Sequence, residues 1–203
     1  MPHILSEVEI AAFRTKLCRV ATRLFLDKGV KGVTMRELAT AMGVSAMTPY
    51  RYFRDKDEIL AVVRTRMYVE FADRLEAAFS GQGTILERAL ATRDAYVRFA
   101  LENPERYRLM FDMEQDQSVH PELNRAVVRS LANLDRFVRI LIGENLLAGE
   151  PSLVGLVFWA TLHGAICLKL AGKLSSEYDI AAILDAANRA LMRGFGPENE
   201  ALC

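Results

Sequence analysis

The chain has 203 residues, 51% of them hydrophobic, and its 26 Lys and Arg balance 26 Asp and Glu. That length suits one or two compact units with a real core. Three cysteines, an odd number with no pair at metal or redox spacing, argue against a disulfide framework and fit a reducing cytoplasm.

The zero net charge hides an asymmetry. Residues 14–56 hold ten basic side chains and three acidic ones, so the segment is 10 − 3 = +7 and the remainder −7. A basic patch on an acidic body attracts a polyanion such as nucleic acid. The first residues lack a basic-then-apolar leader pattern, and a cytoplasmic protein is expected.

Helical periodicity runs through the chain and no strand-like alternation persists. The first helix is expected near Val8 to Lys28, with Ile10, Phe13, Leu17, Val20, Ala21, Leu24 and Phe25 as its stripe and Gly29 as its stop. The second opens at Thr34, where Thr34 and Glu37 have capping-box spacing, and it ends by Met42-Gly43. A third short helix is expected over Ser45 to Tyr52, and a fourth from Lys56 to about Phe79.

After the loop Ser80 to Gly83, a fifth helix spans Thr84 to Glu102. Three more open with proline in the first turn, at Pro104, Pro121 and Pro151. Ser176 is the expected cap of the last helix, which carries Ile180, Ile183, Leu184, Ala187, Leu191 and Phe195. The remainder to Cys203 reads as a tail. The fold class is therefore all-α: about nine helices, with a helix-turn-helix domain over 1–56 and a helical bundle over 57–203. Pro151 to Leu168 is about as long as the shortest transmembrane helices, but a helix buried between others explains it better, and no membrane partner is expected.

Two short helices joined by a tight turn at Met42-Gly43-Val44 form a helix-turn-helix unit. Gly43 can take positive φ there. Leu38, Ala39, Met42 and Val44 are expected to pack it on the first helix. The helix over Ser45, Ala46, Met47, Thr48, Tyr50, Arg51 and Tyr52 has little apolar stripe of its own. Small and polar residues at its start suit a major groove, and a methyl or thioether can meet thymine methyls. Thr48, Tyr50, Tyr52 and Lys56, with the helix starts at Thr34-Arg36 and Lys56, suit phosphate.

From Ala21-Thr22-Arg23-Leu24-Phe25, through Gly29 and Thr34-Met35-Arg36-Glu37-Leu38-Ala39, to the run Gly43 to Leu60, the sequence resembles the TetR family of repressors. The likeness covers about residues 10–60. It implies a homodimer on a double-stranded palindromic operator, released by a small-molecule effector, with no cofactor and no enzymatic activity. Pro49 is a departure, since Leu is commoner at this position, and it removes a backbone donor. A tighter first turn or a water on the Ser45 carbonyl would absorb that loss. Tyr52 stands where His is frequent.

In the C-terminal body, Pro104 to Phe111 and Trp159-Ala160-Thr161-Leu162-His163-Gly164 resemble a subgroup with a Trp-x-x-x-His-Gly signature. At about 100° per residue, Leu153, Val157, Ala160, Gly164, Leu168 and Ala171 share one helix face. With Ile183, Ala187 and Leu191 of the last helix they are the candidate dimer seam. Trp159, His163, Ile166 and Leu170 share another face, expected to look into the body.

Tyr96, Tyr107, Met110, Phe111, Phe137, Trp159 and His163 are the candidate effector residues. Each can equally be core, and His163 can be a core histidine bonded to a carbonyl. His3, His120 and His163 lack ligand spacing, so no metal is expected. The alternatives are a helical interaction protein without DNA binding and an enzyme using His163 as general base. No nucleophile motif or carboxylate pair supports the latter.

Overall fold

The computed structural model describes residues 6–112, 115–174 and 177–197. Its described residues are all helix, turn or loop, with no strand. The eight α-helices are α1 (Glu7–Lys28), α2 (Met35–Met42), α3 (Lys56–Phe79), α4 (Ile85–Glu102), α5 (Pro104–Phe111), α6 (Pro121–Gly143), α7 (Pro151–Leu170) and α8 (Ile180–Gly194). Two 3-10 turns, Pro49–Arg51 and Gln117–Val119, complete the order. The chain divides into two compact units: Met1–Val69 with Arg108–Val127, and Glu70–Tyr107 with Val128–Cys203. The expected boundary after residue 56 falls inside the first of these.

In the first unit, Leu17, Cys18 and Ala21 of α1 are buried with Val33, Leu38, Phe53, Ile59 and Val63. Burial raises the Cys18 thiol above its ordinary range, as a small core residue would be. Thr34 caps α2 by accepting the Glu37 N–H at 3.2 Å. The expected capping box is half formed, because the Glu37 carboxylate pairs with Lys28 at the end of α1. Gly43 closes α2 in the left-handed region at φ 69°.

The expected third helix does not form as an α-helix. Thr48 N–H donates to the Ser45 carbonyl at 2.9 Å, and Pro49–Arg51 follows as a 3-10 turn. Proline supplies the reason: with no N–H at residue 49, the bond back to Ser45 comes one residue early. The tighter turn takes the place of the missing donor, and Pro49 itself is buried.

The same unit holds Arg108 to Phe111, the second 3-10 turn and the start of α6. Arg64 is 2% exposed and donates to the Met110 carbonyl at 2.8 Å and to Gln115 Oε1 at 3.0 Å. Tyr68 donates to the same carbonyl at 2.7 Å. Gln115 reaches Asp57, and His120 Nε2 meets Asp57 Oδ2 at 2.6 Å. None of these partners was apparent from spacing.

In the second unit α7 packs against α8 and α4. Thr84 and Glu87 form a complete capping box at the start of α4, and the Glu150 carboxylate caps α7 by accepting the N–H groups of Ser152 and Leu153. Val138, Leu141, Leu147 and Val154 form a core with Phe158 and Phe195 around it. Gly155 lets α7 approach α6, since a Cβ there would stand 3.3 Å from Leu134 Cγ. Arg129 holds Glu76 at 2.6 Å and Asp73 at 2.7 Å. The last helix starts at Ile180 after Asp179. The expected cap at Ser176, His3 and the tail cysteine Cys203 lie outside the described residues.

Helix α7 departs from expectation. By length and composition it can cross a membrane, yet only 22% of its most apolar stretch is buried in the chain. It is not the helix buried between others that its sequence suggests. Leu153 is 56% and Leu168 46% exposed, Ala160 and Ala171 are exposed, and Val157 and Gly164 are half-buried. Ile166, on the other face, is fully buried.

Candidate nucleic-acid interface and effector site

The turn from Ser45 to Tyr52 is carried on a fixed base. Pro49 and Phe53 are buried, and the Arg14 guanidinium lies 3.9 Å over the Phe53 ring. Arg14 also donates to the Tyr52 carbonyl and to Glu58 Oε1. The Tyr52 ring stacks on Phe13 at 4.0 Å between centroids. Held this way, the turn leaves Ser45, Ala46, Met47, Tyr50 and Arg51 exposed, with Thr48 half-buried. Thr34 and Arg36, at the start of α2, are exposed as well. Exposed hydroxyl, phenol and guanidinium groups beside a helix start are the chemistry that takes phosphate and base edges.

Lys56 is half-buried. Its Nζ donates to the carbonyls of Val30 and Val33, each at 2.7 Å. Two of the three ammonium protons are thus used on the loop between α1 and α2, while the positive charge and one donor remain. Sequence spacing had no means of showing a bond across 26 residues.

Four of the seven candidate effector residues come together in the second unit. Trp159 Nε1 donates to the Tyr96 hydroxyl at 3.0 Å, and the Tyr96 and Tyr107 hydroxyls are 2.9 Å apart. The Tyr107 hydroxyl meets His163 Nδ1, and His163 Nε2 lies 3.4 Å from Cys167 Sγ. An indole N–H only donates. The arrangement that keeps every hydroxyl proton inside the cluster therefore runs from Trp159 to Tyr96 to Tyr107 to His163 Nδ1. The imidazole proton then sits on Nε2, facing Cys167.

Tyr96 and Tyr107 are buried, whereas Trp159 and His163 are half-buried. Phe71 packs edge-on against Tyr96 at 5.0 Å. Cys167 is half-buried and belongs to this cluster. Its place four residues after His163 on one helix was the available signal.

The other three candidates lie elsewhere. Met110 and Phe111 belong to the first unit, where the Met110 carbonyl is held by Arg64 and Tyr68, and Phe111 meets Tyr68 edge-on at 5.7 Å. Phe137 stacks on Phe79 at 3.9 Å. Helical periodicity put Trp159 and His163 on one inward face, and nothing in it said which of the other five aromatic and Met candidates meet that face.

Comparison with known families finds two matches along the chain. Residues 17–63 match the family described as bacterial regulatory proteins, tetR family, and residues 89–191 match the tetracyclin repressor-like C-terminal domain. The chain belongs to the TetR family.

TetR-family members are DNA-binding transcriptional regulators, and this chain is one. It is 25% identical over 189 residues to the HTH-type transcriptional repressor AcnR of Corynebacterium efficiens, covering 89% of this chain and 93% of that one. It is 28% identical over 102 residues to the HTH-type transcriptional regulator Mb1846 of Mycobacterium bovis. That match spans 47% of this chain and 42% of the relative's length. Among solved structures, a protein of unknown function from Rhodococcus sp. RHA1 superposes with a TM-score of 0.80 at 26% identity, covering 97% of this chain and 99% of that one. The TetR assignment thus spans both the reading turn and the helical body.

Proposed function

We propose that this TetR-family chain is a homodimeric repressor of a palindromic DNA operator. In this reading the exposed groups of Ser45 to Arg51 enter the major groove, and Thr34, Arg36 and Tyr50 meet phosphates. The observation that carries it is the reading turn itself, whose base is buried while Ser45, Ala46, Met47, Tyr50 and Arg51 stand exposed. The +7 charge of residues 14–56 supports it, as does the repressor named AcnR among the relatives.

The dimer seam is the exposed apolar face of α7, Leu153, Val157, Ala160, Gly164, Leu168 and Ala171, with Ile183, Ala187 and Leu191 of α8. An apolar face of that length left bare on a single chain favours a second copy, and an isologous pairing sets two reading turns on one palindrome. The effector is a small molecule seated at Tyr96, Tyr107, Trp159 and His163. Its polar group must compete with hydrogen bonds that these side chains already make with one another, and the His163 contact to Cys167 is the weakest of them. Both ring nitrogens of His163 face partners, which favours a binding role over catalysis.

Selection of duplexes from a random pool by the full chain tests this reading. The expected product is a palindrome whose half-sites are about one helical turn, 34–36 Å, apart. Its affinity falls steeply with salt, and Arg36→Ala lowers the slope of log K against log salt by about one. Retention of no sequence, or a salt-independent affinity, is the result that defeats it.

A further inference from the structure

The hydrogen-bonding groups of the reading turn are partly spent inside the turn. The Ser45 and Thr48 hydroxyls are 2.9 Å apart, which commits one of their two protons to the pair. The N–H groups of Thr48, Arg51 and Tyr52 end on the carbonyls of Ser45, Thr48 and Pro49. Pro49 has no N–H and is buried. Foremost among the groups left is an apolar pair. Met47 is 69% exposed, the most exposed large hydrophobic residue of the turn, and Ala46 beside it is also exposed.

The only apolar group on the major-groove edge of a base pair is the thymine C5 methyl. Residues at the start of a reading element face base edges, and those later in it face the backbone. Met47 lies in the first turn, three residues before Tyr50. A thioether is flexible and polarizable, so it can settle on a methyl without exact registration.

We propose that Met47 is a specificity-determining residue that reads a thymine methyl, with a T·A pair at one symmetric position in each half-site. This rests on the DNA-binding reading above. The tightening at Pro49 favours it, because the turn directs its buried proline inward and leaves the thioether outward. Hydrogen-bond readout by Ser45 and Thr48 is correspondingly reduced.

The test begins with the operator selected by the full chain. Each thymine is replaced in turn by deoxyuridine, which removes the methyl and leaves the hydrogen-bonding edge intact. The expected result is one sensitive position per half-site, with affinity reduced about four-fold for one methyl. Replacing both symmetry mates gives about sixteen-fold. Met47→Ala lowers affinity for the thymine operator and abolishes the deoxyuridine penalty at that position alone, and Met47→Leu restores it in part. Circular dichroism of both variants, which alter an exposed side chain, shows an unchanged fold.

The inference is overturned if deoxyuridine is neutral everywhere, or if Met47→Ala suffers the same penalty as the parent. A selected operator without a thymine in either half-site overturns it too. A chain that selects no operator defeats the DNA-binding reading and this inference with it, an outcome distinct from the other three.

Discussion

The reading turn and the Tyr96–Tyr107–Trp159–His163 cluster hold their functional groups in opposite ways. The turn buries its frame, Pro49 and Phe53, and leaves its side chains exposed, so a partner can dock without displacing anything. The cluster keeps its polar atoms hydrogen-bonded to one another, so a ligand enters only by replacing those bonds. A site of the first kind is read by surface complementarity. A site of the second kind couples occupancy to rearrangement, because each displaced bond frees a group that must find a new partner. In the proposed reading the turn is a rigid output and the cluster a reorganisable input, the pairing a ligand-released regulator needs.

The comparison breaks most severely if α7 is not an interface. Leu168→Glu places a carboxylate in the proposed seam, twice per dimer by symmetry. The expected cost is about 3 kcal/mol, or a dissociation constant raised about 100-fold in sedimentation equilibrium. An unchanged dimer, or a parent chain that is monomeric at micromolar concentration, removes α7 from the seam.

Lys56 sharpens the distinction between frame and surface. Lys56→Met removes two charge-assisted hydrogen bonds to the carbonyls of Val30 and Val33. Stability is expected to fall by about 2–3 kcal/mol, read by thermal unfolding. Tyr50→Ala, at an exposed side chain, should leave the midpoint within about 0.5 kcal/mol while weakening DNA binding. A Lys56 variant with normal stability and a reduced salt slope would return that residue to the phosphate contacts.

These two residues also mark what was legible in the sequence. Caps and periodicity are local, so α1, α2, α3 and α4, and the proline starts of α5, α6 and α7, stand within a few residues of expectation. Gly43 and its turn were equally visible. The short element after Gly43 was expected as an α-helix and forms a 3-10 turn, the tighter turn at Pro49 being one of the two expected ways to absorb the lost donor. Long-range bonds were invisible: Lys56 to Val30, Glu37 to Lys28, and Arg64 to Met110 join residues no spacing rule connects. For the candidate site, periodicity chose the inward face of Trp159 and His163, and nothing local divided Met110 and Phe111 from Tyr107 on the same helix. It likewise read the apolar α7 as a buried helix, because hydropathy does not say whether the covering surface belongs to the same chain.

Tyr107→Phe probes the input side. The hydroxyl lies between buried Tyr96 and half-buried His163, and its loss removes one hydrogen bond to each. The expected cost is about 1–2 kcal/mol, or about 3–6 °C in the thermal midpoint. Operator affinity without effector should stay close to that of the parent. A variant of full stability would show that the cluster is not held together by this bond.

The smallest effect lies on the acid side. The Arg129 guanidinium, followed by Asn133, holds the Glu76 carboxyl below its ordinary value of 4.5. A carboxyl depressed by folding stabilises above that ordinary value, and the contribution is lost as pH falls through the lower, folded one. Glu76→Gln should therefore unfold slightly earlier than the parent at neutral pH and converge with it as pH falls through that lower, folded value. Parallel curves across that range would show that the ion pair contributes nothing.

The buried proline of the reading turn has a consequence for how such a protein changes over generations. Because Pro49 and the residues behind it fix the backbone, Ala46, Met47 and Tyr50 can be exchanged at little cost to folding. In the proposed reading, drift at those three positions would retarget the protein to new DNA while its fold and its ligand site persist. A duplicated copy could thus acquire a new set of genes before it acquired a new signal.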